Sequence, residues 1–144
     1  MARIIYDGSD AIFGRMGTIV SKSLLKGDSV EVVNCEEVIV SGDRKSFVEK
    51  FLAKLRMGRG ASLKGPKYIR REDRLVKRMI RGMLPWDRQK GRDAYKRLRC
   101  HVGKGDLSEE DLKDMKVFSH SKPRKYFKIK EVVGAIRPVY EHKK

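Results

Sequence analysis

A chain of 144 residues with 40% apolar side chains is long enough to bury a core as one domain, yet 38% of it is charged and its formal net charge is +16. No run reaches the roughly 18 apolar residues of a membrane-crossing helix, and Met1-Ala2-Arg3-Ile4-Ile5-Tyr6-Asp7 turns acidic too soon for a signal peptide. Cys35 and Cys100 have neither CxxC spacing nor a third ligand near by, so they read as small buried apolar residues of a reduced, cytoplasmic protein.

Arg3-Ile4-Ile5-Tyr6-Asp7 predicts a first strand, and Gly8-Ser9-Asp10 is turn and N-cap chemistry for the helix that follows. That helix sets Ile12, Phe13, Met16, Ile19, Val20 and Leu24 at helical spacing, and Gly27 stops it. Gly14 and Gly17 inside it each cost about 1 kcal/mol relative to Ala, which implies a close approach by the neighbouring strand or by a ligand backbone. Val30-Glu31-Val32-Val33-Asn34 predicts a second strand and Val38-Ile39-Val40 a third, ending at Ser41-Gly42. Phe47, Val48, Phe51, Leu52 and Leu55 form one face of a helix over 44–57. Residues 58–67 have no periodicity and read as an exposed cationic loop. A helix over 71–84 follows, then a shorter one over 92–98 and a last strand at Arg99-Cys100-His101-Val102. Beyond Gly105, Ser108 caps a short helix with Glu109, Glu110 and Asp111 in its favoured first turn. The element order predicts an α/β domain over 1–104 with a mainly parallel sheet and a basic C-terminal extension over 105–144. Within that extension, Lys122-Pro123-Arg124-Lys125-Tyr126-Phe127-Lys128 reads as an RNA contact or a protein-docking tail.

From Arg44 to Lys104 lie 21 of the 35 Lys and Arg but only 5 of the 19 Asp and Glu, so this stretch carries the whole +16. One cationic insert on a neutral frame points to a polyanion, because neutralised phosphates release condensed counterions without any base being read. On a helical wheel Arg71, Arg74, Arg78 and Arg81 fall within an arc of about 80°, opposite Leu75, Val76, Met79, Ile80, Met83 and Leu84. A merely solvated face interleaves acids for i,i+4 pairing, and none stands between Arg74 and Pro85. All four stripe residues are Arg, whose planar fork binds phosphate oxygens in pairs. Arg70 and Lys77 join this candidate set. Arg56, Arg59, Lys64 and Lys67 sit in or beside the Gly-rich loop, which can lie flat along a phosphate backbone. Arg88, Lys90, Arg92, Lys96, Arg97 and Arg99 continue the field past Pro85. Trp86 and Tyr95 read either as packing residues or as rings that stack on unpaired bases.

Ile80-Arg81-Gly82-Met83-Leu84-Pro85, then Gly91-Arg92-x-Ala94 and Arg97-Leu98, resemble the signature of the universal large-subunit ribosomal protein family numbered thirteen. Gly14-Arg15, Val32-Val33-Asn34-x-Glu36, Ser41-Gly42 and Gly65-Pro66 are similar to the same family in the same order, so the likeness covers about Ile4 to Val102. It implies a three-layer α/β/α domain with a four-stranded parallel sheet. It also implies a place in the cytoplasmic ribosome, bound to large-subunit ribosomal RNA beside neighbouring ribosomal proteins and supporting subunit assembly. The motif positions it carries over are Arg15, Arg81, Gly82, Met83, Leu84, Pro85, Gly91 and Arg92. Gly17-Thr18, Cys35 and Glu72 depart from the family's usual Ala-Ser, Ala and Pro, and the part after Gly103 is closer to archaeal or eukaryotic members.

Enzyme readings find no constellation. Gly60-x4-Gly65 is followed by Pro66-Lys67 rather than by Lys and then Ser or Thr, and it follows a helix rather than a strand. Gly58-x-Gly60 lacks the third glycine of a dinucleotide fingerprint. Glu49, Glu72, Asp73, Asp87 and Asp93 are each explained by caps or local pairing, and His101, His120 and His142 have no metal-like spacing. No catalytic residue, cofactor, metal or small-molecule substrate is expected. A free-standing RNA-binding module outside the ribosome remains the other reading of the charge.

Overall fold

In the computed structural model, which describes residues 2–57, 68–118 and 121–136, the β-branched runs at the start of the chain form the centre of a parallel sheet. Strand β1 (Arg3–Asp7) pairs with β2 (Ser29–Val33) from Arg3 against Ser29 to Asp7 against Val33. Strand β4 (Leu98–Cys100) adds outside β2, and β5 (Lys116–Val117) outside β1, giving the order β4-β2-β1-β5 with every pair parallel. The fold is α/β, as expected.

Helix α1 (Phe13–Lys26) links β1 to β2, but the expected side-chain cap is absent. Ser9 donates its N–H to Asp7 Oδ1 at 2.9 Å, and Asp10 adopts φ 53° with its carboxylate turned to Lys122 and Lys128. Gly8-Ser9-Asp10 is therefore a turn, and the helix starts after Ile12. It ends at Gly27, whose φ of 112° is left-handed and lets its N–H reach the Leu24 carbonyl.

The predicted third strand forms as β3 (Ile39–Ser41) but not in the parallel sheet: it pairs antiparallel with β6 (Tyr126–Lys128). The link from β2, a left-handed Asn34 and a 3-10 turn over Cys35–Glu37, is far shorter than the dozen or so residues a parallel crossover needs. The strand at Leu98–Cys100 is also not the last. Residues past Lys104, read from sequence as an extension, supply β5, β6 and helix α6 (Ile129–Ile136), in which Ile129, Val132, Val133 and Ile136 are wholly buried. Ahead of them α5 (Glu109–Lys113) is capped as expected, Ser108 Oγ accepting from the Asp111 N–H.

One connected core joins Val30, Val32 and Leu98 of the sheet to Met16, Val20 and Leu24 of α1. It continues through Leu75, Val76 and Ile80 of α3 (Glu72–Arg81) and Ala94 of α4 (Gln89–Lys96). Helix α2 (Arg44–Arg56) has no fully buried residue, and its predicted apolar face, Phe47, Val48, Phe51, Leu52 and Leu55, covers Phe127, Val132 and Ile136. Cys35 is buried, Cys100 is half-buried, and both are free thiols. A hydrogen bond shared with Cys100, together with burial, holds the Cys35 thiol well above the ordinary range, which leaves it inert.

The basic tail residues fasten the C-terminal segment to the frame. Lys122 reaches Asp10 at 2.9 Å, Lys128 bridges Asp10 and Glu37, and Lys130 also meets Glu37. Hydrogen bonds from Lys122 and then Lys128 lower the Asp10 pKa, and those from Lys128 and then Lys130 lower that of Glu37. A lowered carboxylate pKa adds stability that is complete above the unfolded value of about 4 and is lost as pH falls through the folded one. Lys128, raised by Glu37, adds stability that is complete below the unfolded value of about 10.5 and is lost as pH rises through its raised value. Melting temperature should therefore decline on both sides, and Glu37→Gln should flatten the acid limb; an unchanged acid limb would count against this brace.

Gly17 meets not a strand but Met83: a Cβ there would lie 2.7 Å from Met83 Sδ and 3.0 Å from Cε, while one on Gly14 would meet nothing within 4 Å. Met83 is 38% exposed and its tip can swing away. Gly17→Ala gains helix propensity of about 1 kcal/mol against that displacement, so thermal melting should shift by less than about 4 °C in either direction.

Candidate nucleic-acid interface

Helix α3 begins with Glu72 and Asp73 in its first turn and ends with Arg78 and Arg81 in its last, both favoured by the helix dipole. Leu75, Val76 and Ile80 enter the core, which forces Arg74 and Arg78 outward, and neither has an ion-pair partner among the described residues. Arg71, at the N-cap, hydrogen-bonds Asp73 Oδ2 at 3.2 Å. Arg81 is half-buried, its guanidinium 3.8 Å from the centroid of the Trp86 ring. Trp86 meets Tyr95 edge-on at 5.3 Å, and Lys77 Nζ lies 5.0 Å above the Tyr95 ring. Burial raises the Tyr95 phenol pKa, so the ring stays neutral beside these cations. Trp86 and Tyr95 thus pack together, and each carries one cation of the basic face over its ring.

The corner joining α3 to α4 is built by the motif residues. The N–H groups of Gly82, Met83 and Leu84 bond to the carbonyls of Met79, Ile80 and Arg81, which tightens the helix end. Leu84 is buried, and the Pro85 carbonyl accepts from Arg88 N–H. Gly91 lies directly on that carbonyl: a Cβ would fall 2.0 Å from its oxygen. Arg92 clamps the same turn, donating from Nε to the Trp86 carbonyl at 3.2 Å and from Nη2 to that of Asp87 at 3.0 Å. Arg97 donates to the Leu24 carbonyl at 2.9 Å, closing the end of α1. These two guanidinium groups serve the fold.

The remaining candidates spread over several elements. Arg88, Lys90, Lys96 and Arg99 are exposed around α4 and β4, with Lys96 3.6 Å from Asp93. Arg15 is exposed on α1 and Arg56 at the end of α2, and Arg70 precedes α3 in a contact of its own. Arg59, Lys64 and Lys67 lie outside the described residues. Ile69, Cys100 and His101, none of them read from sequence as a site residue, line a hollow between α3 and β4. No local pattern marks them, since Ile69 meets Cys100 and His101 only through the fold. His101 hydrogen-bonds Glu31 at 3.2 Å.

Among the described residues no group of three His, Cys, Asp or Glu side chains is placed to hold a metal ion, and no helix is long and apolar enough to cross a membrane. Frame and site together define an α/β protein with one Arg-rich helical face. The model of the family described as ribosomal protein L13 matches residues 2–106, and the chain belongs to that family. A large ribosomal subunit protein uL13 of Methanopyrus kandleri is 41% identical over 106 residues, covering 74% of this chain and 65% of that protein. Counterparts of the same name from Archaeoglobus fulgidus and Methanosarcina barkeri are 37% and 36% identical, each covering 89% of this chain and 83% and 93% of the relatives.

Proposed function

We infer that this chain is a structural constituent of the large ribosomal subunit that binds large-subunit ribosomal RNA through its cationic face and supports subunit assembly. Membership of a ribosomal protein family supports the setting. The observation that carries the binding mode is the outward row of Arg74 and Arg78, free of carboxylate partners among the described residues, beside Arg81 and Lys77 held on aromatic rings. Unpaired guanidinium groups preorganised on a rigid helix gain more from phosphates than from water. Arg15, Arg56, Arg70, Arg71, Arg88, Lys90, Lys96 and Arg99 extend this field, and Arg59, Lys64 and Lys67 join the same RNA-binding set by their charge. Arg92 and Arg97 act as positioning residues that hold the corner and the end of α1. The chain acts in the cytoplasm, with neighbouring ribosomal proteins as its other partners and no chemistry of its own. Residues 1–104 carry the RNA-binding surface, and the described part of 105–144 braces it.

Co-sedimentation tests this function. The chain should stay with large subunits through a high-salt wash, and a protein that strips off quantitatively would instead be a loosely bound RNA-binding module.

A further inference from the structure

Between α3 and β4 lies a hollow of about 440 Å³ whose apolar side is formed by Ile69, Tyr95 and Cys100 and whose rim carries Arg74, Lys77 and Arg99. Its volume is in the range of about 300–1,000 Å³ typical of small-ligand sites, enough for a base and its sugar but not for a stacked helix. We propose that this hollow receives one unstacked nucleotide of the bound RNA, the base against Tyr95, Ile69 and Cys100 and the flanking phosphates on Arg74 and Lys77 at one side and Arg99 at the other. The proposal rests on the RNA-binding reading above and names the site at which it reads more than phosphate.

An apolar wall inside a cationic rim is what a nucleotide requires, because it joins a flat π-face to an anionic backbone. A site for phosphate alone has no use for Ile69 and the Tyr95 ring. Lys77 now covers that ring at 5.0 Å. A base stacked on an aromatic ring gains more than an exposed ammonium does, so the base displaces Lys77 toward a phosphate. The one carboxylate in the lining, Asp73, has Oδ2 held by Arg71, while Oδ1 is buried without a hydrogen-bond partner among the described residues, an acceptor that suits a base N–H rather than a phosphate. His101, tied to Glu31, keeps the end of the hollow fixed. Arg99 also borders, with Lys96, a second hollow of about 620 Å³ through which the strand can leave the site, and the Glu31 in its lining is tied to Arg3 and His101.

The test uses the full chain and three RNA hairpins of one stem sequence: fully paired, with a single-nucleotide bulge, and with that bulge abasic. Fluorescence anisotropy should show the bulged hairpin bound about tenfold more tightly than the other two. Tyr95→Phe should keep that preference, and Tyr95→Leu should cut it to about twofold or less. Equal binding of the three hairpins, or a preference that survives Tyr95→Leu, overturns the proposal. If neither the hairpins nor large-subunit ribosomal RNA binds, the RNA-binding reading fails instead.

Discussion

Replacing Arg74, Arg78 and Arg81 together with Gln should lower affinity for large-subunit ribosomal RNA by about 10²- to 10³-fold at 0.1 M salt. Each neutralised phosphate contributes a slope of about −0.7 to −0.9 in log affinity against log salt, so the variant's plot should also be shallower by about 2 to 3. The melting temperature should barely move. Arg74 and Arg78 contact no acid within the described fold, and Arg81 loses only its place over Trp86, worth about 0.5–1 kcal/mol at an exposed ring. The control is a triple variant that removes the same charge elsewhere: Lys22, Lys26 and Lys113, all exposed and outside the cationic insert, changed to Gln. If that control costs as much affinity as the Arg variant, binding follows net charge and the helical face has no special role. Arg81→Lys separates charge from geometry, since it keeps the cation but loses the planar group stacked on Trp86.

This face was legible because every signal for it lies within one window of about four turns. Periodicity, absence of acids and Arg content are local properties of residues 71–84, and the core contacts of Leu75, Val76 and Ile80 follow from them. The sheet was legible where strands are long and β-branched, as in β1 and β2, and not where they are short. Strand β5 is two residues, Lys116–Val117, and carries no pattern at all. The partner of β3 was hidden because Val40 pairs with Phe127 across most of the chain, although the short link after β2 already argued against a parallel crossover. Arg97 shows the same limit at the site. Its charge resembled that of its neighbours, and only the fold reveals that it reaches Leu24, 73 positions away. Composition counts cations, but burial and backbone partners decide which of them remain available to a phosphate.

Gly91→Ala should destabilise the protein by about 3 kcal/mol or more, at the upper end of overpacking costs, which for a chain of this length is a fall of about 10 °C in melting temperature. An added Cβ would sit 2.0 Å from the Pro85 oxygen and 2.6 Å from its carbonyl carbon, backbone atoms held by the Arg88 N–H in a turn that Arg92 clamps through the Trp86 and Asp87 carbonyls. No rotamer relieves that overlap, so α4 must lift off the end of α3. The gain in helix propensity on replacing Gly with Ala, about 1 kcal/mol, is too small to offset it. Gly82→Ala is the matched comparison from the same motif. Its backbone is right-handed helical, and a Cβ would meet only the Met79 oxygen at 3.4 Å, an ordinary contact, so its melting should stay within about 4 °C of wild type. Thermal melts of the two variants side by side check the assignment. Wild-type-like melting of Gly91→Ala would mean that the corner yields freely and does not fix α4. A large fall for Gly91→Ala with little change for Gly82→Ala would mean that the motif's two glycines serve different ends, one packing the corner and the other leaving the basic face open beside Arg78 and Arg81.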